Sequence, residues 1–252
     1  MLKPKITALA ITLNEEENVK RYIQSLSFAD EIIFIDSFSS DKTVEIAKEA
    51  GVVVFQRTFD DFAKQKNFAI GQAKNDWIVF FDLDEVISPE LSGEILKNLD
   101  SQNDFTAYSV KRNLYFFGKQ IKFGGWQSDK VIRIFNKKFC KYDENFVLGN
   151  RLISSKTKLL KEKVKHLSYK SFDSYNTKLS FYGKLQAEYL YSKNQKPNFY
   201  HFIIKPNLYF FRQYLLRLGF LDGKEGFILA YIHTFAILKA YFLLWMKYRK
   251  LE

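Results

Sequence analysis

A chain of 252 residues is long enough to bury one large core, or a core with an appendage, and its single cysteine, Cys140, excludes an internal disulfide framework and fits a reducing compartment. The formal net charge of +11 is unevenly spread: residues 1–100 hold 11 Lys/Arg against 18 Asp/Glu, whereas residues 101–252 hold 28 against 10. A basic half points to an anionic partner such as a membrane surface, a phosphorylated glycan or nucleic acid, and the lack of any recognisable nucleic-acid module argues against the last.

Behind Lys3-Pro4-Lys5, the apolar stretch Ile6 to Leu13 is too short and interrupted for a signal peptide or a membrane span, so it reads as a first strand. Asn14-Glu15-Glu16-Glu17 opens a helix with acids in its first turn, and Val19, Tyr22, Ile23 and Leu26 share one helical face. Glu31 to Asp36 is a buried-strand pattern ending in a carboxylate. A polar loop then leads to a helix from Thr43 to Ala50, stopped by Gly51. Val52 to Phe55 is the third strand, and a helix over Phe62 to Ala73 leads to a fourth at Trp77 to Phe81. Strands alternating with helices at this spacing predict an α/β fold: a mostly parallel sheet covered on both faces, with ligands bound beyond the carboxyl ends of its strands.

The fourth strand runs straight into Asp82-Leu83-Asp84-Glu85. In an extended backbone Asp82 and Asp84 point to the same side roughly 6.5–7 Å apart. That pattern suits one hard cation, Mg²⁺ or Mn²⁺, completed by water and substrate phosphate; the other reading is a solvated acidic turn. Asp36 also ends a predicted strand, so it should converge with Asp82 and Asp84 on one crevice.

Ser88-Pro89-Glu90 caps a helix carrying Leu91, Ile95 and Leu99. Phe105 to Phe117, Ile121 to Trp126 and Lys130 to Phe135 read as added antiparallel strands, and Asp173 to Ser192 as a helix. From Asn198 onward the chain is aromatic-rich and helical, broken at Gly219 to Gly226, and resumes from Phe227 to Tyr248. Lys239 and His233 interrupt the last run, which argues against a free-standing span. Such helices lie in a membrane interface, or pack on the rest of the protein or a second copy in a homodimer.

Four ordered blocks carry a resemblance: Thr12-Leu13-Asn14-Glu15-Glu16-Glu17-Asn18, Ile35-Asp36-Ser37-Phe38-Ser39-Ser40-Asp41-Lys42-Thr43, Gln65-Lys66-Asn67 and Asp82-Leu83-Asp84-Glu85. Together they resemble the nucleotide-sugar domain of family-two glycosyltransferases with the GT-A fold, most closely the lipopolysaccharide-core glucosyltransferase type. The Gly-Phe-Leu-Asp-Gly block at 219–223 is similar to the same subfamily. The resemblance implies that Thr12, Asn14, Glu15, Asp36, Lys66, Asn67 and Asp82 bind the nucleotide diphosphate and that Asp82 and Asp84 form the metal-binding DxD pair. It implies an acceptor side around Gly124-Gly125-Trp126 and Arg133-Ile134-Phe135, where Trp126 stacks on a sugar or fills the core, with His166 a further acceptor-side candidate. The domains it implies are a nucleotide-sugar half over 1–100, an acceptor half over 101–170 and a C-terminal amphipathic helical extension over 171–252.

One block departs from the subfamily. A Val-His-Glu triplet is expected after the strand pair, yet Leu148 and Gly149 stand where His and Glu belong, and neither accepts a proton. Three readings stay open: another carboxylate is the general base, with Asp129 favoured over Asp143 and Glu144; catalysis is weakened; or the register of the triplet differs. The function expected is an inverting, metal-dependent transfer from a nucleotide-sugar donor, UDP-linked, to a lipid-linked glycan such as lipopolysaccharide core. Its place is cytoplasmic, peripheral to an anionic inner membrane. The alternative is a membrane-associated nucleotide-sugar-binding protein that has lost turnover.

Overall fold

The computed structural model describes residues 4–101, 103–144, 151–169 and 172–251. They form two units, Met1–Arg112 with Lys130–His166, and Asn113–Asp129 with Leu167–Glu252. Leu148 and Gly149 lie outside the described residues.

In the first unit β1 (Ile6–Thr12), α1 (Glu16–Ser25), β2 (Glu31–Asp36), α2 (Thr43–Glu49), β3 (Val53–Gln56), α3 (Phe62–Gln72) and β4 (Trp77–Val79) alternate as expected. β5 (Glu85–Val86) and α4 (Pro89–Asp100) follow, then β6 (Ala107–Phe116), whose end pairs with β7 (Lys119–Gln120), and β8 (Lys130–Asn136). β9 (Lys141–Tyr142) and β10 (Leu152–Ile153) form a separate ribbon before β11 (Thr157–Tyr169). The main sheet runs β3-β2-β1-β4-β8-β6-β11-β5. Its first four strands are parallel, and β8 joins β4 antiparallel, with β6 antiparallel to β8.

Alternation along the parallel strands divides the core in two. Ile6, Ala8, Ala10, Phe34 and Val79 face one cluster with Val19, Tyr22 and Leu26 of α1 and Leu91, Ile95 and Leu99 of α4. Leu9, Ile33, Ile35 and Ile78 face the other, closed by Ala63 and Ala69 of α3. The strands are therefore apolar on both faces, which is why they read as continuous apolar runs. α4 starts where its sequence dictates, the Ser88 hydroxyl accepting the Leu91 N–H with Pro89 in the first turn. Each of its three buried side chains contributes about 1.5–3 kcal/mol of apolar burial.

Two local expectations are corrected. α1 begins at Glu16 because Asn14 takes a left-handed φ of 54°, and its amide group bonds the Ser39–Ser40 loop instead. The segment Ile121 to Trp126 is no strand: Gly124 and Gly125 adopt φ of 68° and 90°, and the chain turns into a 3₁₀ turn at Trp126–Ser128.

The second unit is helical. α5 (Phe172–Ser192) packs on α7 (Lys224–Tyr248), and between them α6 (Lys205–Phe211) is continued at each end by a π-helical turn, Tyr200–Ile204 and Arg212–Leu216. Gly226 is obligatory, since a Cβ there would strike the Gly219 carbonyl. The core holds Phe116, Ile121, Tyr175 and Leu229, and a second cluster joins Ala187 and Leu190 to Tyr241 and Leu244.

His233 is half-buried between the rings of Trp126 and Tyr175, 4.8 and 5.8 Å away, and its Nε2 is shut off from solvent with no hydrogen-bond partner among the described residues. Burial lowers its pKa from 6.5 to about 4. The unfolded chain binds a proton near pH 6.5 that the folded chain refuses, so the stability His233 lends above pH 6.5 is lost as pH falls towards 4. Urea titrations should show that loss in the wild type and a shallower one in His233→Gln. Equal slopes in the two would refute the assignment.

Candidate active site

The carboxyl ends of β1, β2 and β4 lie side by side on one sheet edge. Thr12 and Asp36 are opposite each other across β1 and β2, and the Thr12 hydroxyl donates to Asp36 Oδ1 at 3.0 Å. Asp36 is fully buried, and its carboxylate also accepts the Ser39 N–H at 2.8 Å, the Ser39 hydroxyl and the Gln56 amide. Glu15 donates its N–H to Thr43 Oγ1 at 2.7 Å, which ties the loop after β1 to the start of α2. Asp36 thus braces two loops, while Asn14 between them is exposed.

Beyond β4 the backbone does not stay extended as the sequence suggests. The Phe80 N–H still donates to the Arg133 carbonyl, and then Asp82 to Glu85 turn, the Glu85 N–H donating to the Asp82 carbonyl at 2.9 Å. The buried Glu85 carboxylate dictates this bend, accepting the Asp82 N–H at 3.1 Å and Arg133 Nη2 at 2.7 Å. Arg133 also pairs with Asp82 Oδ2, and Arg112 Nη1 lies 3.5 Å from Glu85. His166 sits opposite Glu85 in the β11–β5 pairing, and its Nε2 is 3.5 Å from Asp84 Oδ2. The Tyr22 hydroxyl donates to the Phe81 carbonyl at 2.8 Å, fixing the chain just ahead of the turn.

Lys66 completes this group of charges. A lysine on a helix face is usually solvated, but this one is buried, with Nζ 4.9 Å from the Tyr142 ring centre and 5.8 Å from that of Phe62. Burial lowers its pKa to about 8, against the opposing pull of Asp82. Burial also acts to raise the Asp82 carboxyl, but the charges of Arg133 and Lys66 outweigh it and hold Asp82 below the usual range. Arg133 is held well above its ordinary value, burial being overcome by Asp82 and Glu85.

Next to Lys66, the Asn67 amide brackets Tyr142, accepting its N–H at 2.9 Å and donating to its carbonyl at 3.0 Å, and also donates to Glu144 Oε1 at 2.8 Å. Asp143 faces Arg151 at 3.8 Å. Trp126 and Asp129 belong to the second unit, where the Asp129 N–H donates to the Trp126 carbonyl at 3.1 Å. Their loop is fastened by the buried Asp222, which accepts the N–H groups of Lys122 and Phe123 at 3.1 and 2.8 Å.

The first unit therefore brings together Asp82, Asp84, Lys66 and His166, with Asn67 beside Lys66. Sequence reasoning passed over Arg112 and Tyr142 as parts of this cluster, took Glu85 only as the end of the acidic run, and placed Arg133 on the acceptor side. Arg133 carried a readable signal: a cation inside the run Val131 to Phe135 has to be buried against a carboxylate.

Among the described residues no three His, Cys, Asp or Glu side chains converge to enclose an ion on their own. The two carboxylates that do stand together, with side-chain exposures of 38% for Asp82 and 12% for Asp84, fit a Mg²⁺ or Mn²⁺ that keeps several waters and takes its remaining oxygens from phosphate. Three carboxylates, Asp82, Asp84 and Glu85, are balanced by three cations, Arg133, Arg112 and Lys66, so the pocket has little net charge with which to hold a bare divalent ion.

Comparison with known proteins gives this geometry a family. Residues 7–154 match glycosyl transferase family 2. An uncharacterized glycosyltransferase of Rickettsia bellii is 33% identical over 94% of this chain and 84% of its own length. A lipopolysaccharide core biosynthesis glycosyltransferase, LpsC, of Rhizobium meliloti is 26% identical over 90% of this chain and 86% of its own. Among solved structures, a mannosyltransferase of Pyrobaculum calidifontis in complex with GDP-Man and Mn²⁺ superposes with a TM-score of 0.57 at 12% identity, covering 98% of this chain and 89% of that one, which speaks for the fold. With more than half its length inside the family match and a relative of one-third identity along almost its whole length, the chain is a glycosyltransferase and belongs to glycosyl transferase family 2.

Proposed function

We propose that the enzyme is an inverting, metal-dependent transferase that moves a sugar from a UDP-linked donor to a saccharide of a lipid-anchored glycan of the lipopolysaccharide-core kind, at the cytoplasmic face of the inner membrane. The observation that carries the donor half is the turn at Asp82–Glu85, whose carboxylates are clamped among Arg133, Arg112 and Lys66 at the open end of the parallel strands. The kinship with the Rhizobium meliloti protein supports the acceptor class.

In this reading Thr12, Asn14, Glu15 and Asp36 hold the nucleotide, and Lys66 and Asn67 face the diphosphate. Asp82 and Asp84 would hold a Mg²⁺ or Mn²⁺, which when bound would supply charge stabilisation to the diphosphate. Lys66, kept dry by Phe62 and Tyr142, adds a positive charge that water does not screen. Trp126 and His166 serve the acceptor sugar. A carboxylate takes the proton of the attacking hydroxyl, and among Asp129, Asp143 and Glu144 the preferred base is Asp129, which follows Trp126 in the acceptor-side loop. Asp129→Asn is expected to cut turnover by about 10²-fold or more with nucleotide affinity intact, measured as sugar transfer beside UDP titration. Unchanged turnover would reassign the base.

The test of the whole reading is a screen of UDP-, GDP- and CMP-sugars for nucleotide release with and without Mn²⁺. Because the cluster is nearly neutral, Mn²⁺ alone should scarcely raise the melting temperature, while UDP and Mn²⁺ together should stabilise by about 2.7 kcal/mol at a hundredfold excess over Kd. Stabilisation by Mn²⁺ alone as large as by the pair would contradict the charge balance. Release of no nucleotide from any donor would sink the reading.

A further inference from the structure

We propose that the outer face of the hairpin formed by residues 199–248 is a monotopic membrane-binding surface that lies in the plane of an anionic bilayer and does not cross it. The proposal rests on the reading above only in that a lipid-anchored acceptor places the enzyme at a membrane; the surface is argued from the second unit alone.

The helix over 200–216 is inverted in polarity. Its exposed positions recur every fourth residue, and a soluble protein would fill them with charge. Here they are Ile203, Ile204, Leu208, Phe211, Leu215 and Leu216, each 41–68% exposed, interrupted by Asn207 and Arg212. A regular α-helix would rotate such a four-residue repeat gradually off its face. The π turns at Tyr200–Ile204 and Arg212–Leu216, with their wider winding, keep it in line. α7 runs antiparallel alongside, Phe202 against Phe242 and Tyr214 against Phe227, and adds exposed Tyr231, Phe235, Phe242 and Trp245. An apolar area built from so many large side chains far exceeds what a monomer leaves in water without a partner.

Charge decides between a bilayer and a second copy. Residues 198–250 carry eight Lys/Arg, of which Lys239 and Lys247 turn towards α5, against two acids, Asp222 and Glu225. Asp222 is buried on the N–H groups of Lys122 and Phe123, and Glu225 is paired with Lys119 at 2.7 Å. A two-fold dimer would bring this basic rim against itself, since the same patch serves both copies. Anionic lipid headgroups meet it with the opposite sign, and each basic side chain near such a surface contributes about 1 kcal/mol. The aromatic and basic composition is that of helices lying at the headgroup boundary.

α7 is long and apolar enough to span a bilayer by length and composition. Its contacts place it in the plane instead. One side is taken by α5, where Lys239 donates to Ser180 at 2.6 Å and Lys247 pairs with Glu188, so lipid can reach only the opposite face.

The test is co-sedimentation of the full chain with phosphatidylcholine vesicles with or without phosphatidylglycerol, beside the triple variant Leu208→Asp, Phe211→Asp, Leu216→Asp. All three side chains are exposed, so the fold is expected to survive, with nucleotide release from the donor unchanged. The wild type should bind the phosphatidylglycerol vesicles, more weakly at high salt, and be stripped from native membranes by alkaline carbonate. The triple variant should bind them at least about 10²-fold more weakly. Absence of binding to anionic vesicles, equal binding by the variant, or resistance to carbonate extraction would each overturn the proposal. So would a stable dimer, measured by light scattering, that the triple variant dissolves. Donor turnover is read separately, so a failed donor reading leaves vesicle binding intact and a failed surface leaves nucleotide release intact.

Discussion

Asp84→Asn is expected to lower metal-dependent turnover by about 10³-fold while the protein stays folded. The residue sits in the turn between β4 and β5 with its side chain 12% exposed, and His166 Nε2 lies 3.5 Å from its carboxylate. Glu85, and not Asp84, anchors the turn, through the Asp82 N–H, Arg133 and Arg112. An amide at 84 therefore leaves the turn standing and removes half of the carboxylate pair offered to the cation. The diagnostic is a difference: UDP affinity measured with Mn²⁺ should fall, and UDP affinity measured in chelator should not. Equal affinities in both conditions, with turnover unchanged, would show that Asp84 does not meet the metal–nucleotide complex. Glu85→Gln gives the contrasting pattern, lowering the melting temperature as well as turnover, because it loosens the turn itself.

The parallel half of the sheet was readable because its elements are local. Buried parallel strands announce themselves as apolar runs ending in Asp36 and Asp82, and Ser88-Pro89 marks the start of α4 by capping chemistry that any sequence shows. What stayed hidden depends on partners distant in sequence. Lys66 lies on a helix, where a lysine is ordinarily solvated, and its burial depends on Tyr142, brought over it by the β9 ribbon, together with Phe62. The extended reading of Asp82 and Asp84 failed for the same reason: the strand's apolar pattern continues through Phe81, but Glu85 folds the chain back on itself to reach Arg133, 48 positions away. In the tail, composition revealed apolar helices with basic interruptions. It did not reveal that π turns hold their apolar residues on the outward face.

Arg133→Met is the largest stability change the structure leads us to expect. The guanidinium is 5% exposed and serves two carboxylates at once, Asp82 and the fully buried Glu85. Methionine fills the volume but leaves Glu85, among the described residues, with the Asp82 N–H and Arg112, the latter at 3.5 Å, and strands its charge in the interior. Breaking a buried pair from one side costs about 3–5 kcal/mol. For a chain of this size that is a fall of roughly 6–20 °C in melting temperature. Arg133→Lys should recover only part of it, since one ammonium cannot present the planar fork that bridges two carboxylates. The double variant Arg133→Met with Glu85→Leu is the decisive arm: with both charges gone the desolvation cost disappears, and stability should return most of the way even though turnover does not. If the double variant melted as low as Arg133→Met, the loss would come from packing at 133, and the account of a charge stranded beneath the Asp82–Glu85 turn would be wrong.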